Sequence, residues 1–411
     1  MAEYPALVSI MLAVGALARA GSYSNLTTYA LAAGRHPLGI TAGPDGALWF
    51  TEAGADGIGR ITTDGTLREF HLPRPAGLPG TITVGPDGAL WFTNASGVGR
   101  ITTAGAVTVY PTPSEAVGIS AGPDGALWFT EYYAGKIGRM TTDGVVTAEY
   151  DVPLSACTQV FTTPNQIAAG PDGALWFTSE YCAIGRIATD GTIIVYDAPE
   201  STESEGIVAG PDGALWFGGG SGNQIGRVTT AGKFTMYPVP TPTSYPNAIA
   251  AGPDGALWFT ELDTGRFGRI TTTGVVIDYP SHAPGSAEAA YEGIANGPDG
   301  ALWIAGYRYN QIVRAPACGL GFSASFEAGT LTMNFNLGID TPATFNILFE
   351  NAAGDPISEP FSNTIPAVTP PRSFTMNWQV PNLGIVTVMP ILSAGAGQAI
   401  CSEWTSVDTS Q

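Results

Sequence analysis

The sequence predicts an all-β fold, a seven-bladed β-propeller followed by a small C-terminal β-sandwich-like domain. The first observation is that the heptapeptide Gly-Pro-Asp-Gly-Ala-Leu-Trp occurs seven times, at intervals of 37 to 48 residues. The second is that each repeat contains alternating apolar runs and Gly-rich turns without helical periodicity. Repeats of this length and pattern are typical of propeller blades, in which four strands form one sheet.

Each repeat divides into four strands joined by short turns. In the first repeat the strands are predicted at residues 39–42, 47–51, 58–62 and 67–70, from the centre of the ring outwards. The Pro-Asp-Gly between the first two strands predicts a hairpin, because Pro presets φ and Gly adopts positive φ. The repeated Asp is therefore predicted to be a turn residue and not a catalyst.

The Trp of the motif and an Arg in the third strand recur once per blade. We expect each Trp to fill the gap between neighbouring sheets, and a row of rings that stack on carbohydrate is the alternative. We expect each Arg to pair with a turn carboxylate or carbonyl. These residues are Trp49, Trp91, Trp128, Trp176, Trp216, Trp258 and Trp303, and Arg60, Arg100, Arg139, Arg186, Arg227, Arg269 and Arg314.

The seventh repeat lacks an outer strand of its own, because Ala315 and Pro316 stand where a turn should follow Arg314. Residues 25–31, near the other end of the chain, resemble the outer strand predicted within residues 66–71. We predict that this N-terminal strand completes the seventh blade and closes the ring. Closure removes the open sheet edges that would otherwise promote aggregation.

The chain is predicted to consist of a signal peptide at 1–20, the propeller at 21–316 and the C-terminal β-sandwich-like domain at 317–411. An apolar stretch followed by Ala-Arg-Ala, a small-x-small cleavage pattern, indicates the signal peptide. We therefore expect a secreted or periplasmic protein, with no integral membrane span in the mature chain.

The four cysteines show no Cys-x-x-Cys spacing, which argues against a zinc or redox site. In an oxidising compartment, disulfides are the better interpretation. Cys157 and Cys182 are predicted to pair within the propeller, and Cys318 with Cys401, which bracket the C-terminal region.

The net charge of −19 argues against nucleic acid as a partner, because phosphate backbones demand Lys and Arg. With 44% hydrophobic residues and only 12% charged ones, most of the chain can be buried. The acidic surface fits a soluble exported protein, expected to be a monomer, and it could also attract cationic ligands.

A binding site is expected on one face of the ring, which we call the variable face. It holds the connections between blades and the connections between second and third strands. The length and sequence of these connections vary, whereas the turns of the opposite face are short and nearly identical. The unknown partner expected there is a small molecule, a peptide or a protein. The longer connections of the variable face are residues 72–80, 111–117, 151–165, 197–205, 238–247 and 280–292.

Three second strands end in Glu at the variable face: Glu52, Glu131 and Glu261. These carboxylates are candidate ligands for a hard cation such as Mg²⁺ or Ca²⁺, which takes oxygen donors. Solvated rim charges are the alternative. His36 and His282 lie in loops of the same face and are the candidate imidazole bases, with exposed loop histidines as the alternative.

The tandem Gly-Pro-Asp-Gly, "ALWFTE" and "IGRITT" segments resemble those of the streptogramin B lyase (virginiamycin B lyase) family over residues 25–315. The resemblance implies a seven-bladed propeller. It also implies an Mg²⁺-dependent elimination that opens a cyclic depsipeptide at its ester. Family members use a His base, a second His that contacts substrate, and two metal-binding Glu residues.

The family pattern can be placed on this chain through "YEGIANGPDGALWIAG". The two metal-binding Glu positions fall on Ala290 and Gly306, the base on Glu292 and the substrate-contacting His on Asn247. All four residues differ from the family pattern, so the authentic lyase reaction is not expected. A desolvated Glu292 could still abstract a proton, because burial raises a carboxyl pKa.

The sequence therefore favours a non-catalytic, lyase-like binding module. Its candidate ligand-binding residues are Asn247, Tyr245, Tyr291 and Glu292. Whether the protein is an enzyme stays open. The alternative is a lyase, catalysing Mg-dependent carbon–oxygen elimination, or a hydrolase with a relocated site that uses Glu292, His282, Glu261 or His36. A purely structural protein with a featureless channel is the third interpretation.

Overall fold

A computed structural model of the chain describes the propeller with its side chains and the C-terminal region by its strands. The predicted signal peptide lies outside the described residues. Among the described residues, no helix is long and apolar enough to cross a membrane. The described residues are 26–73, 77–154, 163–179, 183–199, 205–280 and 290–316, together with strands between 319 and 408.

Six blades consist of four consecutive antiparallel strands, ordered from the centre of the ring outwards. Blades one to three contain β2 (Pro37–Ala42), β3 (Ala47–Glu52), β4 (Gly57–Thr62) and β5 (Leu67–His71); β6 (Ile82–Val84), β7 (Leu90–Asn94), β8 (Gly97–Ile101) and β9 (Val107–Pro111); and β10 (Ala116–Ala121), β11 (Leu127–Glu131), β12 (Lys136–Met140) and β13 (Val146–Asp151).

Blades four to six repeat this order, and blade five also carries a 3₁₀ turn at Gly220–Gly222. They contain β14 (Pro164–Ala169), β15 (Leu175–Ser179), β16 (Ala183–Ile187) and β17 (Ile193–Asp197); β18 (Ile207–Ala209), β19 (Leu215–Gly218), β20 (Gln224–Val228) and β21 (Phe234–Pro238); and β22 (Pro246–Ala251), β23 (Leu257–Glu261), β24 (Arg266–Ile270) and β25 (Val276–Pro280).

The seventh blade takes its outer strand from the start of the described chain, which confirms the prediction. It contains β26 (Tyr291–Asn296), β27 (Ala301–Gly306), β28 (Gln311–Pro316) and β1 (Thr27–Ala30). Strand β1 pairs with β28 in antiparallel register, with Thr27 opposite Arg314 and Ala30 opposite Gln311. Strand β1 therefore covers the edge of β28, which a three-stranded seventh blade would leave unpaired.

The motif Trp residues fill the spaces between blades, as predicted, and all seven are fully buried. Trp49, for example, belongs to a cluster that includes Leu90, Phe92 and Ile101 of the next blade. A row of carbohydrate-stacking rings is excluded because the indoles are inaccessible. Each indole also stacks on an outer-strand aromatic ring, with centroids 5.4 to 5.8 Å apart, and in the seventh blade that ring is Tyr29 of β1.

The turn Asp of the motif binds two side chains of its own blade. In blade three, Asp124 accepts hydrogen bonds from the indole nitrogen of Trp128 at 3.0 Å and from Arg139 Nε at 2.8 Å. Burial raises the pKa of Asp124, but these hydrogen bonds outweigh it and hold the pKa below its usual value. The same arrangement occurs in blades one, two, four, five and seven, so the predicted Arg–carboxylate pairing is confirmed there.

Asp124→Ala should lower the free energy of unfolding by about 2 to 3 kcal/mol, because it leaves a buried indole N–H and a partly buried guanidinium without their acceptor. Urea denaturation followed by Trp fluorescence measures the change. The control is Asp143→Ala in the exposed turn before β13, which should change stability by no more than about 0.5 kcal/mol. Equal losses in the two variants would show that the Asp124 contacts contribute nothing specific.

The C-terminal unit, within Pro316–Gln411, consists of two antiparallel sheets. One has the order β29–β30–β33, and the other the order β32–β31–β34–β35, with β36 also paired to β34. The propeller unit is formed by Leu26–Gly252 and Ala256–Ala315. The C-terminal strands are β29 (Gly319–Glu327), β30 (Thr330–Ile339), β31 (Ala343–Asn351), β32 (Phe361–Ile365), β33 (Val368–Gln379), β34 (Ile385–Ala394), β35 (Gln398–Ser402) and β36 (Thr405–Asp408).

Candidate functional site

A cavity of about 630 Å³ lies where the inner strands of the seven blades meet. Every blade contributes to its walls, and connections of the variable face, including Pro79 and Tyr307, contribute to its lining. A concave site with apolar walls and a few polar groups is the usual form of a small-molecule site. The cavity is therefore the candidate ligand site of the propeller.

In each blade, the residue two positions before a recurring Ile lies in the inner strand or just before it, and these seven residues form a ring at the cavity. We call these seven residues the channel ring. Its members on blades one to three are apolar or Gly, whereas those on blades four to seven are polar. The channel ring consists of Leu38, Gly80, Val117, Asn165, Glu205, Asn247 and Glu292, and all of these except Asn165 line the cavity.

Bulges in the inner strands determine where the channel ring residues lie. In blade one, Pro37 lies opposite Glu52 and Ile40 opposite Phe50, so two inner-strand residues oppose Thr51 alone. Such a bulge redirects side chains and is common beside functional sites. The pairings of the inner strands in blades three, four, six and seven shift at the equivalent point.

The Thr that follows "WF" in the repeat holds this geometry. Thr130 Oγ1 accepts the backbone N–H of Gly118 in its own blade at 2.8 Å and donates to the carbonyl oxygen of Asn165 in the next blade at 2.6 Å. Thr51, Thr93 and Thr260 make equivalent pairs of contacts. The repeat therefore fixes the backbone of the channel ring while leaving its side chains free to vary.

The polar half of the ring is connected by hydrogen bonds between neighbouring blades. Asn165 Nδ2 donates to Glu205 Oε2 at 3.0 Å, and Asn247 Nδ2 donates to Glu292 Oε2 at 2.9 Å. The hydroxyl of Tyr245 donates to Glu205 Oε1 at 2.9 Å. Neutral donors thus orient both ring carboxylates.

The electrostatics of the cavity are those of an acidic site. Burial raises the pKa of Glu292, and the charge of Glu205 raises it further, while the hydrogen bond from Asn247 opposes the shift. The described residues that line the cavity include Glu115, Glu205 and Glu292, and none of them is Lys, Arg or His. The described part of the lining is therefore acidic.

A strained loop positions Tyr245. Thr243 and Tyr245 have φ values of 52° and 56°, in the left-handed region that non-Gly residues rarely adopt. Asn223 Oδ1 accepts the backbone N–H of the intervening Ser244 at 2.7 Å and its hydroxyl at 2.9 Å. Strain of this kind is characteristic of functional sites, where the surrounding structure maintains it.

The structure brings together three of the four residues predicted to bind a ligand. Asn247 and Glu292 line the cavity, and Tyr245 contacts Glu205, which lines it as well. Tyr291 is fully buried and does not belong to the cavity lining. Glu205 and Asn165 were not predicted, although the recurring Ile two residues later places them in register with Glu292.

The glutamates at the ends of the second strands are buried, with exposed fractions of 0 to 1%, so the alternative of solvated rim charges is wrong. They occupy separate environments: Glu52 lies 3.8 Å from Arg35, Glu131 accepts the Ser114 N–H, and Glu261 accepts the Thr264 hydroxyl. Within the described residues, no three His, Cys, Asp or Glu side chains form a group able to hold a metal ion. Their role as Mg²⁺ or Ca²⁺ ligands stays a prediction.

The candidate base His36 contacts the seventh blade. Its Nδ1 lies 3.1 Å from the carbonyl oxygen of Tyr307, its ring packs on that of Tyr307, and its backbone N–H donates to Asn310 Oδ1. These contacts join blade one to blade seven. His282, Cys157, Cys182, Cys318 and the side chain of Cys401 lie outside the described residues, so both disulfides stay predictions.

The two positions at which the family resemblance implies metal-binding Glu residues have no oxygen-bearing side chain. Ala290 is buried, and a Cβ atom at Gly306 would lie 2.8 Å from Cγ of Gln311. The Gln311 side chain therefore fills the space that a longer residue at 306 would need. These residues do not fit the Mg²⁺ site that the resemblance implies.

Comparison with known proteins agrees with the architecture. The family model described as the virginiamycin B lyase family matches residues 13–161 and 156–321. A streptogramin B lyase structure is 36% identical, with a TM-score of 0.65, over 71% of this chain and 96% of that chain.

A catalytically inactive His-to-Ala virginiamycin B lyase from Staphylococcus aureus, solved with quinupristin, is also 36% identical. It has a TM-score of 0.64 and covers 71% of this chain and 98% of its own. The virginiamycin B lyase of Bordetella parapertussis is 49% identical over 43 residues, which are 10% of this chain and 14% of that relative. This last match thus spans a small part of the relative's length.

Proposed function

Because this chain belongs to the virginiamycin B lyase family, we propose that it is a secreted, lyase-like propeller that binds a ligand at its variable face and lacks streptogramin lyase activity. The observation that carries the proposal is the replacement of the implied metal ligands by Ala290 and Gly306, with Gln311 filling the space beside Gly306. Without such ligands, a metal ion cannot stabilise the charge that develops during elimination.

The position implied for the catalytic base supports the same conclusion. Glu292 stands there, and its carboxylate accepts a hydrogen bond from Asn247, which occupies the position of the substrate-contacting His. This hydrogen bond opposes the rise in the pKa of Glu292 that burial causes, and it holds the carboxylate in one orientation. The two residues thus form a fixed polar pair, suited to holding a ligand group.

The propeller is exported and is joined to a C-terminal domain. Residues 1–20 serve as a signal peptide, and the two predicted disulfides form after export. The two C-terminal sheets pack as a β-sandwich-like domain that serves for adhesion or as a spacer. A monomer with an acidic surface, at a net charge of −19, suits a soluble exported protein.

Incubation of the purified chain with a streptogramin B antibiotic and Mg²⁺ should leave the antibiotic intact. Liquid chromatography with mass spectrometry distinguishes the ring-opened product, which has the same mass but a different retention time. The S. aureus virginiamycin B lyase, under the same conditions, is the positive control. A ring-opened product from this chain would refute the proposal, and its loss in Glu292→Gln would then identify a relocated base.

A further inference from the structure

The channel ring is divided into an apolar half and an acidic half. Leu38, Gly80 and Val117 form the part contributed by blades one to three, and the recurring Ile residues provide further apolar lining. Glu205 and Glu292 lie on the opposite part, on blades five and seven. A ligand complementary to this cavity must combine an apolar body with a group that carboxylates bind.

The acidic half is prepared for a cation. Asn165, Tyr245 and Asn247 direct their donors at Glu205 and Glu292, which fixes the carboxylates without neutralising them. The described part of the cavity lining carries these carboxylates and no Lys, Arg or His, so its electrostatic potential is negative. A cationic ligand would be attracted by this potential and would form charge-assisted hydrogen bonds with the carboxylates.

An independent observation on blade two also points to a ligand. Asn94 lines the cavity and is only 2% exposed. Its Oδ1 accepts the backbone N–H of Ser96, but its Nδ2 has no hydrogen-bond partner. A buried donor without an acceptor is costly, and a ligand oxygen at this point would satisfy it.

We infer that the cavity binds an organic ammonium ion that has an apolar body and a carbonyl oxygen. The ammonium group lies between Glu205 and Glu292, the apolar body contacts Leu38 and Val117, and the carbonyl oxygen accepts from Asn94. This inference rests on the proposed binding function, because it names the class of ligand that the same cavity takes.

A bare divalent cation fits the same carboxylates less well. Both oxygens of Glu205 and one oxygen of Glu292 already accept hydrogen bonds from neutral side chains. Mg²⁺ and Ca²⁺ require six or more oxygen ligands, whereas half of this ring is apolar. An ammonium ion needs only two or three acceptors and leaves the existing hydrogen bonds in place.

Isothermal titration of the full chain with N-(aminopropyl)benzamide tests the inference. Two matched probes each lack one feature: N-propylbenzamide has no ammonium group, and phenylpentylamine has no carbonyl oxygen. We expect the amino-amide to bind most tightly, and loss of its ammonium group to weaken binding by roughly tenfold or more. CaCl₂ and MgCl₂ are titrated separately.

Variants assign the contacts. Glu205→Gln and Glu292→Gln keep the shape of each side chain, and each should weaken amine binding by about tenfold. Asn94→Ala should weaken the amino-amide but not phenylpentylamine. Asp143→Asn, in an exposed turn between third and fourth strands, removes the same charge and should have no effect. Thermal unfolding of each variant checks that the ring is intact.

The inference is overturned if N-propylbenzamide binds as tightly as the amino-amide, or if no probe binds to the folded chain. It is also overturned if both Gln variants bind the amino-amide as tightly as the parent chain does. Binding of Ca²⁺ or Mg²⁺ by the folded chain, without binding of the amine probes, would overturn it as well. None of these results affects the proposed loss of lyase activity, which fails only if the streptogramin is opened. The two failures are therefore distinguishable.

Discussion

A chain that begins at Ala32 should be less stable than one that begins at Leu26 by at least about 3 to 5 kcal/mol, the usual cost of removing one large aromatic side chain from a core. The deletion removes strand β1, and with it the ring of Tyr29, which stacks on Trp303. It also leaves the edge of β28 unpaired. Urea denaturation measures the loss, and light scattering measures the aggregation expected from the exposed edge.

Point variants separate stacking from strand pairing. Tyr29→Phe keeps the aromatic contact with Trp303 and should retain nearly full stability, whereas Tyr29→Ala should lose a large part of it. Similar stability of the two truncated chains would mean that the ring does not depend on β1. The seventh blade would then be held by its three internal strands alone.

The free energy of unfolding should fall as pH rises from about 4.5 to about 7. Burial raises the pKa of Glu52, Glu131 and Glu261 to about 7, with smaller contributions from neighbouring carboxylates, Glu69, Glu149 and Asp278 respectively. An acid whose pKa is higher in the folded state favours folding when protonated. That contribution is complete below the pKa of the unfolded chain and is lost as pH rises through the folded pKa.

We expect a loss on the order of 2 kcal/mol for each of the three carboxyl groups between about pH 5 and about pH 8. Glu261→Gln should therefore stabilise the protein at the higher pH and change little at the lower one. Glu115→Gln, at an exposed position, is the control and should leave the pH profile unchanged. If the free energy of unfolding were constant across this range, the raised pKa of these three buried carboxyl groups would be refuted.

The turn aspartates act in the opposite direction at lower pH. Hydrogen bonds from Trp128 and Arg139 outweigh burial and lower the pKa of Asp124, so its contribution to stability is lost as pH falls below the usual Asp range. Together, the two sets of carboxyl groups place the stability maximum at about pH 4 to 5. The same denaturation series locates the maximum.

Much of the architecture could be predicted because each blade repeats one motif. The period of the repeat predicted the blades, and the missing outer strand after Arg314 predicted the pairing of β1 with β28. Pro-Asp-Gly predicted the turn, and the recurring Arg predicted an ion pair with a turn carboxylate. The hydrogen bond from Trp128 to Asp124 was not predicted, because nothing local shows that an indole on the next strand turns back to the turn.

The site was harder to predict for two physical reasons. Burial of Glu52, Glu131 and Glu261 depends on how blades pack against one another, and a Glu at a strand end gives no local sign of it. The channel ring depends on inner-strand bulges, which alter the simple alternation of side chains. Strict alternation cannot tell which of Tyr291 and Glu292 faces the cavity, and the structure shows that Glu292 does.

The pairing of β1 with β28 also governs the order in which the protein can be completed. Strand β1 precedes every other described strand of the propeller in the chain, yet its partner ends at Pro316. At typical rates of translation, roughly 15 to 60 s separate the two. During this time the growing chain has an unpaired β1 and an open ring. Closure of the ring, by pairing of β1 with β28, is therefore a single late event in folding. A chain interrupted anywhere before residue 311 would stay an incomplete ring, however many of its blades had already formed.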